Sequence, residues 1–114
     1  MEAVEINAGA WYLRAYRDDD RVSDRPALAL AGVTDPDYVR SCDAGWADET
    51  RFTWAVCEPT TGEMLAEVAL EPEGDTYLAQ LTGFARDGHQ VALEAAKTVV
   101  RRFGEGALGY TIRD

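Results

Sequence analysis

Leu81-Thr82-Gly83-Phe84-Ala85-Arg86-Asp87-Gly88-His89-Gln90-Val91-Ala92 reads as the end of a strand, a short polar turn with two glycines, and the first turn of a helix. The leading backbone N–H groups of a helix have no partner within the helix, and its dipole favours negative charge there. The stretch is therefore the best candidate for an anion site, phosphate above all. The plain alternative is a tight turn that binds nothing, since strand–Gly–helix junctions are common.

The helix that follows is the clearest in the chain. From Gln90 to Phe103, Val91, Ala92, Ala95, Ala96, Val99, Val100 and Phe103 form a broad apolar face. Glu94, Lys97, Thr98, Arg101 and Arg102 form the other face, and Gly104 and Gly106 are expected to end it. Ala107 to Ile112 reads as a last short strand. A strand, helix and strand in succession predict a parallel pair with a crossover.

Upstream lies a predicted antiparallel meander. Phe52 to Cys57 alternates. Glu58-Pro59-Thr60-Thr61-Gly62 is a turn, and Met64 to Leu70 returns with Met64, Ala66, Val68 and Leu70 on one side. Glu71 to Asp75 is the next turn, and Thr76 to Phe84 the next strand. Before the meander, Asp24-Arg25-Pro26 opens a helix that runs to Ala31 and stops at Gly32, with Asp24 as N-cap. Thr34-Asp35-Pro36 opens a second, along which Tyr38, Val39, Cys42 and Trp46 recur at helical spacing. Trp11 to Tyr16 reads as a strand with Trp11, Leu13 and Ala15 on one face. Residues 1–10 read as a loose lead-in. The expectation is one α+β domain over residues 1–114, a mixed and mostly antiparallel sheet with helices on both faces.

Composition narrows the function. The net charge of −10 argues against nucleic acid and against anionic membranes as partners. No apolar run approaches the roughly 20 residues of a membrane span, and Met1-Glu2-Ala3-Val4-Glu5 has no basic n-region, so a cytoplasmic protein is expected. Residues 1–84 carry 6 basic and 17 acidic side chains, whereas residues 85–114 carry 5 and 4. The segment relieved of negative charge is the one with the anion site, and it holds Arg86, His89, Lys97, Arg101 and Arg102. Cys42 and Cys57 lack metal-type spacing and read as buried small hydrophobes. Asp18-Asp19-Asp20 reads as a solvated turn rather than a cation site. His89, the single histidine, reads as solvated or as a phosphate-side contact. Tyr110 reads as a core or edge tyrosine.

The order of elements resembles the first two-thirds of the GNAT acetyltransferase superfamily, closest to the branch with the ribosomal-protein N-terminal acetyltransferases. Leu13-Arg14-Ala15-Tyr16-Arg17, Thr34-Asp35-Pro36, Gly45-Trp46-Ala47-Asp48 running into Phe52-Thr53-Trp54-Ala55-Val56, Thr61-Gly62-Glu63-Met64-Leu65-Ala66 and Gly88-His89-Gln90-Val91-Ala92-Leu93-Glu94-Ala95 carry the resemblance. It implies an acyl-CoA-dependent N-acyltransferase, with acetyl-CoA or another acyl-CoA as cofactor and a small-molecule or peptide amine as acceptor. By resemblance, Leu81, Thr82, Gly83 and Phe84 face the pantetheine arm. The loop from Asp87 through Gly88, His89, Gln90 and Val91 to Ala92 wraps the pyrophosphate.

Two loop positions depart from the family pattern. Asp87 sets a carboxylate beside the diphosphate, a repulsion of about 1–4 kcal/mol at near contact. Gln90 adds a side chain where backbone approaches closely. The family's last helix and strands have no counterpart before residue 114. An N–H near Thr82–Phe84 is expected to polarise the thioester carbonyl. No acid or base stands out, although Glu67 and Tyr77 fall in strands near the cleft. These features support an alternative, a non-catalytic binding or assembly module. It would pair with a second copy or a partner subunit along an apolar C-terminal edge of Ala107, Leu108 and Ile112.

Overall fold

A computed structural model describes residues 1–114. Its sheet has six strands in the order β1-β2-β3-β4-β5-β6: β1 (Ile6–Ala8), β2 (Trp11–Arg14), β3 (Phe52–Cys57), β4 (Met64–Pro72), β5 (Leu78–Ala85) and β6 (Thr111–Arg113). All neighbours are antiparallel except β5 and β6, which are parallel, as the crossover predicts. Helices α1 (Arg25–Leu30) and α2 (Tyr38–Asp48) lie on one face and α3 (Gln90–Gly106) on the other. No helix is long and apolar enough to cross a membrane.

The central strand shows how sequence sets the layers. Every residue of β3 is buried, so its alternation is large against small rather than apolar against polar. Phe52, Trp54 and Val56 point into the α3 layer with Val68, Leu70, Leu93, Ala96 and Val100. Ala55 and Cys57 point to the other layer, with Tyr16, Leu28, Val39 and Cys42. Trp46 of α2 joins the α3-side cluster, edge-on to Phe52 and Trp54 at centroid distances of 5.1 and 5.0 Å. Such contacts add about 0.5–1.5 kcal/mol each to the burial of the rings. Both cysteines are buried.

Several sequence expectations are corrected. Residues 6–8 are not a lead-in: Ile6 pairs with Leu13 and Ala8 with Trp11 around a Gly9-Ala10 turn. Met64 does not share a face with Ala66. The register steps from Val56↔Ala66 to Cys57↔Met64, which leaves Leu65 as an extra residue. That bulge turns Met64 into the α1–α2 layer. Asp24 sits at the start of α1 but makes no cap bond to it. Its carboxylate is taken by Arg14, at 2.7 and 2.9 Å, and by the N–H of Arg17 at 2.7 Å. Gly104 does not end α3, which runs on to Gly106. A Cβ on Gly104 would come within 2.9 Å of Leu70 and 3.0 Å of Ile112, so the glycine lets helix, β4 and β6 close together.

Candidate functional site

The candidate site lies along β5, beyond the part of it that pairs with β6. Their register covers Leu78↔Thr111, Ala79↔Ile112 and Gln80↔Arg113, and β6 then ends. The rest of β5 keeps only its β4 neighbour, from Leu81↔Leu70 to Ala85↔Ala66. Backbone bonds of a strand alternate sides. The carbonyl of Leu78 and the N–H of Arg86 bond on the β4 side, so even-numbered residues face β4. Gly83 and Ala85 therefore turn their N–H and C=O groups to the open edge, and Gly83 is exposed.

This separates the strand residues expected from sequence. Gly83 offers open backbone. Leu81 lines the cleft beside it. Thr82 and Phe84 do not belong there: their backbone groups face β4, the Thr82 hydroxyl donates to Glu71 at 3.2 Å, and Phe84 packs against the α1–α2 cluster. An N–H able to polarise a carbonyl at this edge is that of Gly83 or Ala85. Ala85 was missed by sequence reasoning, because only strand parity reveals it.

A Cβ on Gly83 would come within 2.6 Å of the Glu67 carbonyl and 2.7 Å of a Leu93 methyl. The absence of a side chain thus lets α3 sit directly on the edge.

The open edge runs into the loop. Gly88 has a φ of +84°, which turns the chain into α3. The N–H groups of Asp87, Gly88, Gln90, Val91 and Ala92 make no backbone bond, and His89 gives the helix no side-chain cap. Only the N–H of His89 is used, donating to Arg86 at 3.0 Å. Five unpartnered amides at one helix start can hold an anion. Val91 presents only backbone to them, since its side chain is outward, and Ala92 is buried beneath.

The side chains around the loop are less inviting. Arg86 is committed to Glu63 and donates to the Met64 carbonyl at 3.1 Å. Asp87 is exposed. Below the loop, a cleft of about 260 Å³ between β5 and α3 is lined by Leu81, Glu94, Lys97, Thr98, Arg101 and Asp114.

The other charged centre is Glu67, on the opposite face and buried. Its Oε1 accepts the hydroxyls of Tyr16 at 2.8 Å and Tyr38 at 2.6 Å, and its Oε2 accepts Arg51 at 3.1 Å. Burial and the Glu67 charge push both tyrosines well above the usual phenol range. With both oxygens already accepting, this carboxylate is a structural hub of the α1–α2 layer rather than a base aimed at the cleft. Tyr77 is exposed, away from both centres. No group of His, Cys, Asp and Glu could hold a metal ion.

The C-terminal edge differs from expectation. Ala107 and Leu108 precede β6 instead of forming it, Leu108 packs on the core, and Arg113 on the short edge pairs with Glu73. The apolar row expected there is absent. The open backbone beside the candidate site is that of β5.

No family model matches the chain, and no curated protein matches it in sequence. Solved structures match its fold. A protein assigned as a ribosomal-protein-serine acetyltransferase from Vibrio cholerae superposes with a TM-score of 0.77 at 16% identity, over 96% of this chain and 71% of that one. An acetyltransferase from Agrobacterium tumefaciens gives 0.67 at 15%, over 96% and 71%. A ribosomal-protein-S5-alanine acetyltransferase from Vibrio fischeri gives 0.67 at 12%, over 96% and 72%. The likeness at these identities is one of fold, and the fold is that of the GNAT acetyltransferases.

Proposed function

We propose that the chain is a GNAT acetyltransferase that binds acetyl-CoA or another acyl-CoA along the open edge of β5. It would pass the acyl group to the amine of a small molecule or peptide. One observation carries this reading: open backbone at Gly83 and Ala85 is continuous with the unpartnered amides of Asp87, Gly88, Gln90, Val91 and Ala92. A pantetheine arm is an extended chain with two amides, and it can pair with a strand edge as another strand would. A diphosphate suits the helix start.

The residues present fit the cofactor, with Asp87 opposing it. The cofactor supplies an activated thioester. The chain's part is to position it and to set the Gly83 or Ala85 N–H against the carbonyl oxygen as negative charge develops there.

The fold likeness to acetyltransferases supports this function. A second reading rests on the same edge. The open backbone of β5 would accept a strand from another copy or a partner subunit, and the chain would then act as an assembly module.

Calorimetric titration with acetyl-CoA tests the first reading, with Asp87→Arg alongside. Binding by the wild type supports it, and release of free CoA thiol on addition of amines completes it. No binding by the wild type, but binding by the variant, would mean a lapsed cofactor site. Silence from both would exclude the cofactor. Self-association on size exclusion that acetyl-CoA reverses would show both readings using one edge.

A further inference from the structure

Lys97 is the only lysine in the chain. It sits half-buried in the cleft between α3 and β5. Its Cε lies 3.6 Å from where a Cβ of Gly83 would stand, so the side chain passes over the open strand edge. It makes no hydrogen bond or ion pair. The other cation of the cleft, Arg101, is committed to Asp114 and to the Ile112 carbonyl at 3.4 Å. Lys97 is thus an uncommitted primary amine, directed into the groove where the first reading lays an acyl-CoA.

Direction matters. With a diphosphate at the start of α3, an arm paired with Ala85 runs back along β5 and brings its thioester carbonyl to the Gly83 N–H. Gly83 is the residue over which the Lys97 side chain passes. Lys97 lies seven residues into α3, about 10 Å below the helix start. The thioester end, far from the phosphates, therefore falls beside the lysine amine.

Resting on the acyl-CoA reading, we propose that Lys97 is a self-acylation site, taking an acyl group from CoA bound along β5. The deprotonated ε-amine attacks the thioester carbonyl. The N–C bond forms, the C–S bond breaks, and the thiolate of CoA leaves carrying the electron pair. The proton lost by nitrogen ends on that thiolate, so the products are an amide and free CoA. Acylation removes the cleft's one free positive charge and fills the groove, which would couple acyl-CoA supply to the occupancy of the site.

The test is peptide mass mapping after incubation with acetyl-CoA, beside calorimetric binding on the same sample. Trypsin cuts after Lys97 only if it is unmodified, so acylation joins the Asp87–Lys97 and Thr98–Arg101 peptides into one, heavier by one acetyl group. The expected result is modification at Lys97 that saturates over the concentration range of binding. It should be at least about tenfold faster than with acetyl phosphate, which needs no cofactor site. It should vanish in urea, and Lys97→Arg should remove it. Binding without modification, or equal modification by acetyl phosphate and in urea, overturns the proposal and leaves the acyl-CoA reading standing. No binding and no modification overturns both.

Discussion

Glu67→Gln tests whether the buried carboxylate holds the α1–α2 layer or serves the reaction. The side chain is almost fully buried and accepts from Tyr16, Tyr38 and Arg51. Glutamine keeps its size but loses the charge. The two hydroxyl bonds pass from charge-assisted to neutral, at about 0.5–1.5 kcal/mol each. The amide NH2 then faces Arg51, donor against donor. Arg51 is 32% exposed in its side chain, so water satisfies it in part and that loss is discounted. The expected destabilisation is about 2–4 kcal/mol. Glu67→Ala should reach the upper end or beyond, because it also strands the Tyr16 hydroxyl, whose residue is 4% exposed. Urea denaturation reads this out. With m of about 1.5 kcal/mol/M, the midpoint should fall by roughly 2 M at unchanged m. Calorimetry at low temperature, where the variant is folded, should show acetyl-CoA affinity within about twofold of wild type, since the Glu67 side chain lies in the α1–α2 layer on the opposite face. A loss below about 1 kcal/mol would refute the structural assignment. Full stability with abolished binding would move the site to the α1–α2 face.

Further outcomes follow from the same geometry. Gly83→Ala places a methyl against the Glu67 carbonyl and Leu93. Backbone cannot yield as a side-chain tip can, so a loss of about 1–3 kcal/mol in thermal or urea unfolding is expected, with weakened acetyl-CoA binding. Alkaline pH should unfold the chain. Burial pushes the Cys57 thiol from 9.0 to about 12 and raises Cys42, Tyr16 and Tyr38. Groups raised in the folded state stabilise it fully below their unfolded values and lose that contribution as pH rises. The unfolding free energy from urea titration should therefore be flat to about pH 8.5, then fall by up to about 1.4 kcal/mol per pH unit for each group that ionises only when unfolded. A midpoint constant to pH 10.5 would contradict the burial of both thiols. Asp87→Arg should tighten acetyl-CoA binding by about 1–2 kcal/mol, roughly tenfold, at low salt, and less at 0.5 M where screening is strong. An unchanged affinity would place the diphosphate elsewhere.

What the sequence made legible follows local pattern. α3 announces itself by a stripe from Val91 to Phe103, and the parallel β5–β6 pair follows from it. Features set by tertiary contact were not readable. Asp24 looks like an N-cap in any helix-start pattern, but a buried arginine outbids the helix for its oxygens. Gly104 looks like a stop, but it is a contact point for Leu70 and Ile112. One bulge residue, Leu65, reverses the face of Met64, because strand periodicity holds only while pairing is unbroken. Unpartnered amides at the start of α3 follow from the strand–Gly–helix pattern alone. The division of β5 into Gly83 and Ala85 against Thr82 and Phe84 needed the register.

The uneven charge along the chain acquires another meaning once the partners are known. The basic residues of the last segment looked like an anion-binding set. Three of them are committed internally: Arg86 to Glu63, Arg101 to Asp114 and Arg113 to Glu73. They tie the loop, the helix and the last strand to the sheet. For a ligand there remain the backbone amides, Lys97, the exposed Arg102 further down the helix, His89, and the opposing charge of Asp87. Recognition of an acyl-CoA by this chain would therefore rest on fixed backbone donors and the helix dipole rather than on side-chain cations. Such binding should weaken little, or even strengthen, as salt rises from 0.05 to 0.5 M, because screening relieves Asp87 as much as it weakens attraction. A steep loss of affinity over that range, as side-chain cations would give, would show Arg86 or Arg102 leaving its present place to contact the phosphates.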